Sequence, residues 1–315
     1  PAPAGPGSAA AAAQAFAGVF AQLRLTVEVS LDGVLVEGEV ILPESRGRAK
    51  FTIAGGGLRA EREGKFDVKV AALLRDPGFS AVEVKAVLTG DMDTPRSFAR
   101  LALKFEAAAS GTQFPAGVVL AGDCSAARGA IGESYAAAVV TQGREILNLR
   151  ADFPRHSDRL GGTWKLNLRD ADVAPFSLGT ALPSFSAVGD GHFDTDPALV
   201  AIHADGRLNA TLNRLQVLKA ELAVLGEIKV DADFEIARRG GVVAVQRLVA
   251  SVGGAEPVAT VKALQTFEFN PANGELRAQD GAKELVGLSL HGLPVAWAGP
   301  FLKTVSLAGN TVRGE

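Results

Sequence analysis

Residues 227–237 alternate without a break. Ile228, Val230, Ala232, Phe234 and Ile236 take one parity, and Glu227, Lys229, Asp231, Asp233 and Glu235 take the other. Successive side chains of a strand point to opposite faces, so this stretch predicts a strand with one apolar and one charged face. A helix would scatter the same residues around its circumference. Arg238-Arg239-Gly240-Gly241 and then Val242-Val243-Ala244-Val245 predict a turn and a returning strand.

The design recurs along the chain. Leu23, Leu25, Val27, Val29 and Leu31 alternate with Arg24, Thr26, Glu28 and Ser30. Asp32-Gly33 reads as a turn, with residues 34–42 returning. Phe66, Val68 and Val70 share a parity beyond a turn at Glu63-Gly64. Val82, Val84, Ala86 and Leu88 oppose Glu83, Lys85 and Thr89, and Leu101, Leu103 and Phe105 continue the pattern. Residues 115–121, 134–141 and 145–153 read as strands, and Trp164, Leu166 and Leu168 alternate with Thr163, Lys165, Asn167 and Arg169. Residues 170–197 read as a polar loop carrying Gly189-Asp190-Gly191, and Asp205-Gly206 as a turn between two short strands. Residues 215–225 fit either a strand or a short helix. Further strands are expected over 246–252, 259–269 and 285–290, with a hairpin turn at residues 270–274 and a helical turn over 296–302.

Helical periodicity is confined to residues 8–22, where Ser8 caps a helix that packs Phe16, Val19 and Phe20 on a sheet. No period of 20–50 residues recurs, which weighs against a propeller or solenoid. The expected fold is all-β: a long antiparallel meander over residues 23–315 behind that helix, with residues 1–7 of linker composition. The linker-like start, and alternation unfinished at residues 311–315, lead us to expect a piece of a longer protein.

Composition narrows the function classes. A chain of 315 residues, 47% of them hydrophobic, is ample for a folded core. Lys+Arg 32 against Asp+Glu 35 is no electrostatic footprint for nucleic acid. A single cysteine, Cys124, excludes an intramolecular disulfide framework and a Cys-rich metal site. The longest apolar run, residues 9–19, is broken by Gln14, falls short of a membrane span and lacks the basic region of a signal peptide.

The constellations that could carry chemistry each have a plainer reading. His156, His192, His203 and His291 show no metal-ligand spacing. Asp190, Asp194 and Asp196 faintly resemble a calcium loop, but the bidentate glutamate is missing and His192 replaces an oxygen ligand. Ser125 lacks the flanking glycines of a nucleophile elbow, and Cys124 reads as a small hydrophobe. Asp170 and Asp172 fall on the solvent side at the end of the Trp164 strand, and no helix pattern makes Gly240-Gly241 or Gly253-Gly254 a phosphate cradle. No catalytic residue, cofactor or metal is expected.

The apolar parity is then the one functional candidate. In a β-sandwich it fills a core between two sheets. In a curved open sheet it lines a groove suited to acyl chains, which make no directional demands. The candidate lining residues are Leu25, Val27, Val29, Phe66, Val68, Val70, Val82, Val84, Leu101, Leu103, Trp164, Leu166, Leu168, Ile228, Val230, Phe234 and Ile236.

Residues 162–193, GTWKLNLRDADVAPFSLGTALPSFSAVGDGHF, resemble the AsmA-like and TamB-like proteins of the double-membraned bacterial envelope. The shared pattern is a Trp-bearing strand, Asp-Ala-Asp-Val-x-Pro-Phe, then Leu-Pro and a Gly-x-Gly turn. It is sharpest over residues 162–237 and diffuse elsewhere. The resemblance implies a long curved β-sheet (a β-taco-like groove) whose apolar concave face conducts phospholipid between inner and outer membranes in the periplasm. Phospholipid acyl chains are the implied partners, with other envelope proteins engaged through the remainder of a longer chain. The family's N-terminal membrane anchor is not in this sequence. A ligand-free scaffold or adhesin-like sandwich is the alternative.

Overall fold

Alternation of this kind demands sheet, and the computed structural model is nearly all β: strands make up 70% and helices 7%. It describes residues 25–292 except 44–45, 76–77, 79, 178–179, 197–199, 240 and 255–256, together with Phe20 and Leu23. The strands pair antiparallel within each unit. The chain divides into two units, residues 1–165 with 194–200, and residues 166–193 with 201–315.

The first unit is an up-and-down meander. Its strands are β1 (Val34–Ile41), β2 (Gly47–Gly56), β3 (Glu63–Leu74), β4 (Ala81–Thr94), β5 (Ser97–Gly111), β6 (Phe114–Arg128), β7 (Gly132–Thr141) and β8 (Arg144–Pro154). Each pairs antiparallel with the next. β9 (Leu160–Arg169) and β10 (Ser184–Thr195) have residues in both units.

Three expectations are corrected in this unit. Residues 25–30 form no strand, and β1 pairs with β2 instead of with them. The Leu25 and Val29 amides donate to the carbonyls of Arg96 and Pro95, at 2.9 and 3.1 Å, in the β4–β5 turn. The segment therefore crosses a hairpin tip, where no strand edge offers it a ladder. The turn placed at Glu63-Gly64 lies earlier, at residues 59–62, where the Arg62 amide donates to the Arg59 carbonyl and Glu61 takes φ 59°. Gly64 sits inside β3 because Leu58 packs over it: a Cβ there would lie 2.5 Å from that of Leu58. Finally, β6 runs through to Arg128, past the expected end at residue 121.

The second unit holds α1 (Asp170–Val173), 3-10 turns at Ala174–Phe176, Leu215–Val217 and Ala220–Leu225, and the remaining strands: β11 (Ala201–Asn213), β12 (Ile228–Arg239), β13 (Val242–Gly253), β14 (Pro257–Ala263), β15 (Phe267–Asn270), β16 (Glu275–Ala278) and β17 (Val286–Leu290). The hairpins β12–β13 and β15–β16 fall where expected. Residues 215–225 resolve to 3-10 turns. The polar loop of residues 170–197 is instead mostly structured, and neither Gly189-Asp190-Gly191 nor Asp205-Gly206 is a turn. Gly191 lies in β10 and Gly206 in β11, and a Cβ on Gly191 would stand 2.0 Å from the Asp205 carbonyl oxygen. These glycines serve close approach of two backbones. Asp172 is also corrected: it is 4% exposed, not on the solvent side, because its Oδ2 accepts the Arg169 amide at 2.7 Å and caps α1.

The expected helix over residues 8–22 lies outside the described residues except for Phe20, which is helical and 2% exposed. The helical turn over 296–302 lies wholly outside them, as do residues 1–7 and 311–315.

The glycine reading is testable. Gly191→Ala should lower stability by about 1–3 kcal/mol in urea unfolding, since backbone must shift to admit the methyl group. Gly241→Ala, where no atom lies within 4 Å, is the control and should stay within about 0.5 kcal/mol of the parent. Equal effects at the two positions would refute close approach as the reason for Gly191.

Candidate functional site: an uncovered apolar face

Residues directly opposite in an antiparallel pair place their side chains on the same face. The register can therefore be followed from strand to strand through the first unit. One row runs Val36, Ile53, Val68, Ala86, Phe105, Gly122, Val139, Leu147 across all eight strands. The next runs Val34, Gly55, Phe66, Leu88, Leu103, Cys124, Ala137, Leu149. On the other side of Val68, Phe51 aligns with Val70, Val84, Ala107 and Leu120. Seven spacings of about 4.8 Å make each eight-residue row roughly 34 Å wide. The Phe105 ring lies over Gly122, where a Cβ would come within 2.4 Å of it, so the glycine makes room for the aromatic.

What distinguishes this face is that its middle rows are not buried. Phe66, Val68, Val70, Val82, Val84, Leu101 and Leu103 are all half-buried, not buried. Leu88 is 38% and Val36 46% exposed. The buried apolar residues sit toward the strand ends: Leu58 and Met92 at one, Phe114 and Val118 at the other. In a sandwich the middle rows would be the core. The sandwich alternative therefore fails for this unit.

The second unit repeats the arrangement. Ala210, Val230, Val252, Ala259 and Leu290 form one row, and Leu208, Ala232, Ala250, Val261 and Leu288 another. Gly206, Phe234 and Leu248 align, as do Ala204, Ile236, Val245 and Phe267. A bulge between Glu235 and Ile236 skips Gln246 on β13. Without it, Ile236 would face Gln246; with it, Val245 and Leu248 stay on the apolar side and Arg247 stays on the charged one.

The charged face is ordered by that choice. Arg247 reaches Asp233 and lies 3.6 Å from Glu235, and Arg207 Nε donates to Asp233 at 3.3 Å. His203 Nε2 is 3.1 Å from Glu235, and His192 Nδ1 is 3.3 Å from Asp205. Lys229 and Asp231 are exposed as expected, but Asp233 and Glu235 are half-buried beneath this network instead of facing open water.

Of the candidate lining residues, seven meet on the first unit's face, and Ile228, Val230, Phe234 and Ile236 meet on the second's. Trp164, Leu166 and Leu168 are half-buried on β9, with the intervening residues exposed. Leu25, Val27 and Val29 belong to neither face, since they lie in no strand, and Val27 is 63% exposed. Phe51, Ile53, Leu120, Leu147 and Cys124 were missed. For Cys124 the alternation was masked by its neighbours, because Gly122-Asp123-Cys124-Ser125 has no apolar run.

Among the described residues no group of three or more His, Cys, Asp or Glu is gathered to hold a metal. Asp194 pairs with Arg159, and Asp196 Oδ1 accepts the Val200 amide at 2.7 Å. Among the described residues no helix is long and apolar enough to cross a membrane.

Cys124 is a built-in reporter of the face. Burial, and then the neighbouring Asp123 carboxylate, push its thiol above the ordinary range. The neutral thiol therefore persists to higher pH than in a free cysteine. Alkylation by iodoacetamide should be slower than for free cysteine at pH 7.5, with a rate midpoint displaced upward, and Asp123→Asn should bring that midpoint part of the way back. A midpoint at or below that of free cysteine would contradict the placement.

No protein-family model, no curated protein and no solved structure matches the chain.

Proposed function

We propose that the chain is a non-catalytic, lipid-carrying segment of a conduit in a double-membraned cell envelope. The observation that carries this reading is the half-exposed apolar face of the first unit, with unbroken rows across eight strands and, among the described residues of that unit, no second sheet to fill it. Exposed contiguous apolar surface of this extent marks a place where something apolar binds. An acyl chain suits it because the face offers aliphatic and aromatic side chains and few polar atoms. Each buried CH2 contributes about 0.8 kcal/mol regardless of orientation, so a chain can slide from row to row without breaking directional bonds.

The opposite face supports the same reading. In the first unit Lys69, Lys85 and Lys104 lie there, with Lys104 paired to Asp123 at 3.2 Å and Lys85 to Glu83 at 3.1 Å. One face is thus kept wet while the other is left for the ligand. A periplasmic location and phospholipid cargo, with polar headgroups remaining in water, are what the resemblance of residues 162–193 to the AsmA-like and TamB-like proteins implies.

The test pairs stability with occupancy. Lipid extracted from the purified chain should give phospholipid by mass spectrometry, and a bound acyl ligand should slow labelling of Cys124 by an apolar maleimide. Val68→Asp and Val230→Asp should remain folded, because a charge on a half-exposed face still reaches water and avoids the several kcal/mol of a closed core. Both variants should retain less lipid, and Val68→Asp should lose the protection of Cys124. A parent chain that carries no lipid and gains no protection from an added acyl ligand would sink the proposal in favour of a ligand-free scaffold.

A further inference from the structure

Three adjacent rows of the first unit's apolar face each set a phenylalanine directly across from a glycine. The pairs are Phe51 with Gly38, Phe66 with Gly55 and Phe105 with Gly122. In two of them the ring lies over the glycine. A Cβ on Gly122 would stand 2.6 Å from Phe105 Cζ. One on Gly38 would stand 2.6 Å from Phe51 Cζ and 2.7 Å from its Cε1. Burial agrees: Gly122 is buried, and Gly38 is half-buried between Val36 and Val40, which are 46% and 48% exposed. Gly55 differs, since a Cβ there would strike the backbone of Lys65 and Phe66, so it serves close approach of two strands.

The atoms that touch decide the posture of each ring. Cζ and Cε1 are the far end of a phenylalanine side chain. An upright ring carries that end away from the sheet. Here it sits where the first side-chain carbon of the neighbouring strand would be. Both rings are therefore laid along their rows, each covering two strand positions. The rows keep the height of their aliphatic members, Val70 and Val84 on from Phe51, Val68 and Ala86 on from Phe105. A methyl group on either glycine would force its ring into another staggered position, off the neighbouring strand.

We propose that Gly38 and Gly122 are positioning residues of the lipid-carrying face: they lay Phe51 and Phe105 flat, so that an acyl chain crosses the rings on their faces instead of meeting them as ridges. The inference rests on the lipid reading above. An acyl chain gains from buried contact area alone, so a level row holds it along its whole length. A ring raised in mid-row parts the chain from the side chains on either flank. Rings over glycines also stabilise sheets, and that role alone makes binding fall only where stability falls. The positioning role separates the two.

The test uses the full chain and dodecylphosphocholine below its micelle-forming concentration, with affinity from calorimetry and stability from urea unfolding. In the parent, nuclear Overhauser contacts should join the Phe105 ring protons to the Gly122 α protons. Gly122→Ala should weaken binding about tenfold, the worth of about two buried CH2 groups. Gly38→Ala should act alike through Phe51, and carries the comparison if Gly122→Ala does not fold. Phe105→Leu alone breaks the ring-over-glycine pair but keeps the row level. It should lower stability yet bind within about threefold of the parent, and added to Gly122→Ala it should restore most of the lost affinity. A parent that binds no dodecylphosphocholine overturns the lipid reading and this inference with it. A parent that binds, with both glycine variants folded and binding equally well, overturns this inference alone. So does affinity that tracks urea stability across the set, affinity that Phe105→Leu does not restore, absence of the Overhauser contacts, or failure of both glycine variants to fold.

Discussion

Register is the constraint on which everything else depends. Side chains alternate with period two, so a slip of one residue between any two strands would turn one strand's apolar set to the charged side. In the first unit the register holds over seven successive pairings, and the row from Val36 to Leu147 stays apolar throughout. Where the alternation along a strand falters, the ladder compensates. The bulge beside Ile236 skips Gln246 and so keeps Val245 and Arg247 on their proper faces. The comparable irregularity at Val139 skips Ile146 and leaves Leu147 in the apolar row.

Because few apolar side chains among the described residues are fully buried, the ladder also carries more of the stability than in a sandwich. Full burial of a Val, Leu or Phe side chain is worth about 1.5–3 kcal/mol, and few residues here receive it. Backbone hydrogen bonds and cross-strand pairs hold the meander instead, with small buried clusters toward the strand ends around Met92 and Phe114. The same economy of cover leaves apolar side chains open to solvent on β1, where Leu35 is 68% and Ile41 80% exposed. Glu37 and Glu39 on that strand place negative charge beside them, which discourages pairing of two such strands with each other.

The errors of the sequence reading share one origin. Residues 25–31 alternate as cleanly as β3 does, yet only Leu31 finds a bridging partner, at Leu58. Alternation states which face a side chain would take; it does not state whether a neighbouring edge exists to make the strand. Glycine misled in the opposite direction. Gly64, Gly191 and Gly206 read as turns, whereas each lies in a strand, and at Gly64 and Gly191 the reason is contact from residues distant in sequence: Leu58 packs on Gly64, and Asp205 on Gly191. Asp172 misled because its burial comes from capping the helix that follows β9, a partner invisible to a strand-parity argument.

By itself the sequence determined the fold class and the two-faced character of the strands, because both follow from a local period that needs no partner. Phe66, Val68 and Val70, like Ile228 and Val230, were legible for that reason. Only the tertiary structure decided that the middle rows of the first unit's apolar face stay half-exposed instead of forming a buried sandwich core, since cover is a property of what stands opposite a strand, not of the strand itself. It alone also joined Val68 to Phe105 and Gly122 in one row, and Phe51 to Leu120 in another. Those alignments are sums of registers over several hairpins, and each register is fixed by turns and bulges that residue type alone leaves open.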